Sequence, residues 1–564
     1  MSKLWKNGII ILISVCILQA SNFAQAKPTN KQLTIGISQE FDTLNSIISQ
    51  MGATRYMAGM FARPLTAINA DWNDQCYLCV KIPTFKNGLA KKFTDKDGKE
   101  KIIATWEIHP NAKWGDGTPV TGHDFKFSWK VGTTNNISVG EREVYAQIEA
   151  ITVDKTNPKR FSLKYADAKY DFNQLNTFFI IPKHIEEAIF NKSKHEVGLY
   201  EKQTTYSSNP SNPGLYMGPY IVKDLKLSSH VVLETNPHWF GKQPKIKKII
   251  IKYIPNTQAL EANLRAGTID MASEMSIGLD QALAIQKQAK PSDVFKVKFR
   301  EGTVYEHVDL NLRSELLKDV RIRRALVHAI DRDKLTKALF AGKQNPAIHN
   351  ISRNDPYFTE DVVIYPYDIK KAADLLDEAG WKLGKDNVRA KDGKKLTLVL
   401  MTTAQNKTRE LVEVFLQNQW KAVGINIEIK NEPARVFFGE TVRKAKYPHM
   451  AMYAWISHPG NPPKSSLHSI NIPSKANGFA GQNSGGWANK KADKLLDEVY
   501  KEFTLEGRKK KMQKVLYEYT NDVPVIPLYY RSEIAIIPKN MQGHRITAHQ
   551  FYSTLAAEYW ELKE

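Results

Sequence analysis

An α/β fold with several domains is predicted by three observations. The chain has 564 residues, several times the roughly 150 of an average domain. Hydrophobic residues make up 42% and charged residues 25%, an ordinary globular composition with enough apolar material for sizeable cores. Segments of period-2 and period-3.6 hydrophobicity alternate along the chain. In order, residues 33–38 read as a strand, and 102–108 alternate ahead of the turn Gly115-Asp116-Gly117. Thr121 with Asp124 forms a capping-box pattern for a helix carrying Phe125, Ser128 and Trp129 on one face. Asp319 and Asp368 stand where N-caps belong, ahead of apolar faces through Ile322, Ala325, Leu326 and through Leu375, Leu376; Gly380 can end the second helix. Residues 395–402 alternate Leu396, Leu398 and Leu400. A helical pattern through Leu411, Val414, Phe415 and Trp420 follows, Gly424 can stop it, and Ile425, Ile427 and Ile429 form the next strand. This βαβ unit predicts a parallel pair. Near the end a helix pair uses Leu495, Leu496, Val499 and then Met512, Val515, Leu516, with 508–511 expected as a solvated face or turn. Loops are expected at 207–219 and 458–474, and no internal repeat is present.

The N-terminus reads as an export signal. Lys3 and Lys6 precede a nearly unbroken apolar run at 9–18, and Ala24-Gln25-Ala26 offers a cleavage site, so 1–26 is expected to be removed. Cys16 lies inside the apolar run and does not resemble a lipoprotein box, which predicts a soluble, unanchored periplasmic protein. Removing Lys3 and Lys6 lowers the formal charge only from +21 to +19. Cleavage leaves Cys76 and Cys79, for which a short local disulfide is favoured over free thiols or a redox pair. A redox site needs a helix N-terminus to lower a thiol pKa, and Pro83 with the alternating Tyr77, Leu78, Val80 and Ile82 offers none.

Chemistry is sparse. The sequence lacks GxSxG, HExxH, GxxxxGK[ST] and GxGxxG patterns, and its fourteen histidines are scattered. His184 has no second histidine at helical spacing. No metal site, cofactor or catalytic residue is assigned. Basic residues spread over the whole chain without a zinc finger, an RNP1 sequence or a continuous basic helix, so no nucleic-acid partner is expected.

Six landmarks occur in one order. KWGDGTPVTGHDFKFSWK is followed by IPKHI; then come the stretch from NPGLYMGPY through NPHWFGKQPK to AGTIDMA, KDVRIRRALVHAIDRDKL, YDIKKAADLLDEAGW and NDVPVIPLYY. Together they resemble the family 5 extracellular solute-binding proteins, the oligopeptide- and dipeptide-binding components of ABC importers, over nearly the whole mature chain. The resemblance implies a two-lobed periplasmic binding protein of class II type with an extra domain. Lobe one is then 27–64, 181–301 and 525–564, the inserted domain 65–180, and lobe two 302–524. Crossings near 299–309 and 523–530 form an interlobe hinge. A peptide or peptide-like ligand is expected between the lobes, a membrane permease as partner, and a monomer in solution. A metal chelate, haem, opine or glycoside is the alternative solute; a secreted hydrolase is the alternative of a different class.

The same resemblance points to site residues. Trp455 matches the Trp of a GWxxD segment whose Asp takes the peptide amine, and His458 stands where that Asp would be. A neutral imidazole accepts one hydrogen bond from an ammonium but supplies no negative charge. Either Glu40 or another carboxylate substitutes, or the ligand differs, or the loop is shifted, since 457–463 also resembles the Ser-Pro-Gly-Asn loop of a subgroup lacking the Asp. Tyr305 and Asn311, in VYEHVDLNL, and Arg443 resemble ligand-facing positions, with strand core and a surface helix as the competing readings.

Overall fold

The computed structural model describes residues 30–39, 41–49, 51–139, 141–254, 256–404, 406–433, 436–442, 444–477 and 481–564. The expected leader, 1–26, lies outside them. The first strand, β1 (Gln32–Ile37), buries Leu33, Ile35 and Ile37. Next comes a separate antiparallel sheet of β2 (Ala90–Thr94), β3 (Glu100–Glu107), β4 (Ile148–Val153) and β5 (Arg160–Tyr165), ordered β2-β3-β5-β4. The alternation read at 102–108 is visible in β3, where Ile102, Ala104 and Trp106 are buried and Ile103 is exposed. Across this sheet lies α1 (Gly122–Thr133), capped by the expected Thr121/Asp124 box and stacked through Phe125 on Phe161 at 4.5 Å. The anticipated local disulfide joins Cys76 to Cys79.

The chain then returns to the sheet begun by β1. It adds β6 (Tyr220–Lys226), β7 (His230–Thr235), β8 (Lys248–Tyr253), β9 (Met271–Ala272) and the sixteen-residue β10 (Phe295–Leu310). Beyond β10, α2 (Val320–His328) is capped by Asp319, which accepts from Arg321 N at 2.9 Å, and α3 (Ile369–Glu378) by Asp368, which accepts from Lys371 N at 2.8 Å. The βαβ unit is β11 (Thr397–Met401), α4 (Lys407–Lys421) and β12 (Asn426–Ile429), and its strands pair in parallel. Gly380 and Gly424 have φ of +87° and +81°, the left-handed conformation that ends a helix without a Cβ clash. β13 (Met450–Ile456), the hairpin of α5 (Lys490–Lys501) and α6 (Leu505–Asp522), and β14 (Val525–Pro538) complete the architecture.

One sheet runs through the whole molecule in the order β12-β11-β13-β10-β14-β9-β1-β8-β7-β6, with Asn345–Pro346 as an eleventh strand against β14. Among the described residues, its two halves meet at β10 and β14. Residues 295–301 of β10 pair with 532–538 of β14, and 305–309 pair with 525–530. Between these blocks the register slips, so that 302–304 face the single residue Arg531. Side chains segregate accordingly. Leu33, Met271, Ala535 and Trp560 share a core with the small sheet, while Val308, Leu326, Leu400, Trp420 and Ile526 share another.

Three expectations are corrected. In α4 the buried face is Val412, Leu416 and Trp420, with Leu411 and Val414 about half exposed, because the helix turns its other side to the sheet. Arg508 is not part of a solvated run: its guanidinium is buried, donates from Nε to Tyr357 Oη at 2.8 Å and covers the Tyr170 ring at 4.4 Å. The expected loops contain short helices, among them Thr205–Ser208 and Lys464–Leu467.

Candidate functional site

The two halves face each other across a space of about 520 Å³. One wall comes from the region around the small sheet, including Glu143, Lys169, Asp171 and Gln174; the other is the turn at 458–461, and Gln550 and Phe551 also line the space. His458 is exposed on this turn. The turn is held by its own chemistry: Asn461 N donates to His458 O at 3.1 Å, Gly460 N donates to Asp355 Oδ2 at 2.8 Å, and Gly460 has a φ of +69°. Burial pushes the Asp355 carboxyl up to about 6, and the amides of Tyr357 and Gly460 act against that shift. Across the space, burial likewise raises the Asp171 carboxyl.

The halves also touch directly at the rim. Tyr170 donates from its hydroxyl to Asn461 Oδ1 at 3.3 Å and meets Tyr500 edge-on at 5.6 Å. Phe503 packs against Phe85 at 5.2 Å and Phe172 at 6.5 Å, under the ammonium of Lys92 at 3.9 Å.

A second, smaller cavity of about 40 Å³ lies within the half that carries β13. Strand register builds it. Tyr305, His307 and Asp309 alternate on one face of β10, opposite Trp455, Tyr453 and Ala451 of β13. Tyr305, His307, Asp309, Tyr453 and Trp455 line the cavity, joined by Asn483, Trp487 and Tyr519. Tyr447 and Tyr453 both donate from their hydroxyls to Asp309 Oδ2 at 2.9 Å. Burial nevertheless pushes the Asp309 carboxyl up to about 6, and burial pushes His307 down to about 3.

The residues singled out from the sequence thus fall in different places. Tyr305 and Trp455 meet in the small cavity, and His458, three residues after Trp455, faces the large one. Asn311 lines neither: its Nδ2 donates to Tyr447 O at 2.8 Å and its Oδ1 accepts from Arg313 N at 3.1 Å, so its amide ties the end of β10 to a neighbouring segment. Glu40 and Arg443 lie outside the described residues. Asp309 and Tyr453 were not anticipated. The signal for Asp309 was the period-2 alternation of VYEHVDL, which puts it on the face of Tyr305; Tyr453 comes from a strand some 140 residues away.

A third cavity, of about 470 Å³, lies beside the disulfide and is lined by Cys76, Tyr77, Trp239 and Arg63. Arg63 forms a buried pair with Glu558 at 2.8 Å. No group of three or more metal-ligating side chains occurs among the described residues, and none of their helices is long and apolar enough to cross a membrane.

A family model, bacterial extracellular solute-binding proteins, family 5 (middle), matches residues 84–478. The oligopeptide-binding protein AppA of Bacillus subtilis (strain 168) is 26% identical over 558 residues, covering 95% of this chain and 94% of AppA. The crystal structure of an oligopeptide-binding protein from Thermus thermophilus, complexed with a pentapeptide, superposes with a TM-score of 0.66 at 27% identity, covering 95% of this chain and 97% of the other. NikZ from Campylobacter jejuni, in complex with Ni(L-His), gives a TM-score of 0.67 at 23% identity over 95% of this chain and all of NikZ.

Proposed function

Because this chain belongs to the bacterial extracellular solute-binding proteins of family 5 and has their two-lobed α/β fold of class II periplasmic binding type, we propose that it is the soluble periplasmic solute-binding subunit of an ABC importer, capturing peptides without catalysis. The observation that carries the reading is the 520 Å³ space between halves whose described residues share two long strands. A ligand touching both walls favours the closed arrangement by its differential contacts, and the permease then reads that arrangement. We assign lobe one to 27–64, 181–301 and 525–564, the inserted domain to 65–180, and lobe two to 302–524, with the crossing at 302–304 and Arg531, where the register slips. An extended peptide fits such a cleft because its backbone can pair with strand-like edges while roomy pockets accept varied side chains. The oligopeptide-binding relatives support this choice.

A second reading is a metal chelate, suggested by the neighbour in complex with Ni(L-His); a chelate brings its own donors and needs no protein ligand set. Mass spectrometry of whatever co-purifies with the protein from its native compartment separates the two. Intact peptides of mixed sequence are expected, and a single non-peptide species overturns the peptide reading. If His458 occupies the amine position, His458→Asp strengthens binding of trialanine about tenfold or more while leaving N-acetyl-trialanine unchanged; equal affinity of both variants for trialanine removes His458 from that role.

A further inference from the structure

We propose that the small cavity beside Trp455 is a subsite for a cationic headgroup, an ammonium or a guanidinium on a ligand side chain, with Asp309 as its counter-charge. The inference rests on the peptide reading only for the molecule that brings the cation in.

Charge placement comes first. Asp309 Oδ2 is taken by the hydroxyls of Tyr447 and Tyr453, while Oδ1 accepts no hydrogen bond among the described residues. Arg313 acts on Asp309 through its charge but makes its hydrogen bonds elsewhere: its Nη1 donates to Ser484 O at 2.9 Å and its Nη2 to Pro473 O at 3.5 Å. His307, held neutral by burial, adds no competing positive charge, and its Nδ1 is buried with no partner among the described residues. The cavity thus offers the open Oδ1 of Asp309 as an acceptor, and no Lys or Arg is among the described residues that line it.

The walls agree with the charge. Tyr305, Tyr453, Trp455 and Tyr519 line the space, and aromatic faces attract cations through their quadrupoles, Trp most strongly. Size supplies the last constraint. One water needs about 10–15 Å³ by this measure, so about 40 Å³ holds roughly three, which suits an ammonium or a guanidinium and excludes a bulky ring. A neutral headgroup of the same size leaves the carboxylate desolvated and unpaired, which disfavours it. Trp455, which lines the subsite, stands three residues before His458, which lines the interlobe space.

The test uses the full chain and two matched pairs of probes. In titration calorimetry, methylguanidinium is expected to bind at least tenfold more tightly than its neutral isostere methylurea, and Asp309→Asn to abolish that difference. Equal binding of the two by the wild-type protein overturns the subsite without recourse to a variant, and so does discrimination that survives in a folded Asp309→Asn. The peptides Ala-Lys-Ala and Ala-norleucine-Ala then address the ligand: a preference of at least tenfold for lysine, lost in Asp309→Asn, supports the subsite within a peptide site. Binding of both peptides with equal affinity overturns it. Asp309-dependent binding of methylguanidinium with neither peptide bound upholds the subsite and removes the peptide reading instead.

Discussion

The halves of the molecule are joined in two unlike ways. At β10 and β14 the join is a backbone ladder, reinforced by Glu306, which is buried and accepts from Arg409 Nη2 at 3.1 Å while also pairing with Arg531. At the rim the join consists of side chains alone, with Tyr170 and Phe172 on one side and Tyr500 and Phe503 on the other. Opening the first breaks a backbone ladder and exposes buried charge; opening the second costs aromatic and cation–π contacts and the single hydrogen bond from Tyr170 to Asn461. On the function proposed above, opening pivots at the ladder and parts the rim.

The largest expected effect breaks the ladder side. Glu306→Ala leaves the buried guanidinium of Arg409 without its counter-charge and costs about 3–5 kcal/mol, read as a lower urea midpoint with an unchanged slope. Next in size is the neighbouring Glu533, which stands opposite Arg300 in the same ladder. Burial, with Glu274 alongside, pushes its carboxyl from 4.5 up to about 8. A carboxyl raised on folding stays protonated in the folded chain while the unfolded chain ionises, so its stabilisation is full below 4.5 and drains away as pH rises to about 8. At about 1.4 kcal/mol per pH unit, Glu533→Gln is expected to be neutral at pH 4.5 and to raise the melting temperature increasingly up to pH 8. A constant difference across that range overturns the assignment.

The rim responds differently. Phe503→Ala removes two aromatic contacts worth about 0.5–1.5 kcal/mol each, so the stability loss stays near 1–3 kcal/mol. Its distinguishing effect is on shape: the radius of gyration from small-angle scattering increases, whereas Glu306→Ala lowers stability without that selective opening. Smallest is Tyr170→Phe, which deletes one 3.3 Å hydrogen bond to Asn461 and costs about 0.5–1.5 kcal/mol; no change in scattering is expected from it alone.

Local chemistry made much of this fold readable. Asp319, Asp368 and the Thr121/Asp124 box cap helices because capping needs only residues three or so apart, and Gly380 and Gly424 end helices for a reason confined to their own backbone. Periodicity was less decisive where two faces of a helix are both apolar. In α4, Leu411 and Val414 fit the pattern as well as Val412 and Leu416 do, and only the packing against the sheet chooses. Arg508 sat in a basic run, yet Tyr357 and Tyr170, each more than 150 residues away, draw it inward. The small cavity was half legible: Tyr305 and Trp455 were picked out, but the carboxylate between them needed the β10–β13 register, and Asn311 looked equally exposed to ligand until its amide bonds were seen.

The buried pair of Arg63 with Glu558, and the bond from Leu562 N to Asn30 Oδ1 at 2.8 Å, bind the beginning of the described chain to its end. A ribosome delivers those partners about 500 residues apart. The core around Leu33 and Trp560 therefore stays unfinished until residues near 560 have been made, while the contiguous core around Leu400 and Trp420 has all but its closing strand in hand earlier. Such long-range closure is slow. The half begun by β1 is locked only once residues 558–562 have been made, after the other half has its strands.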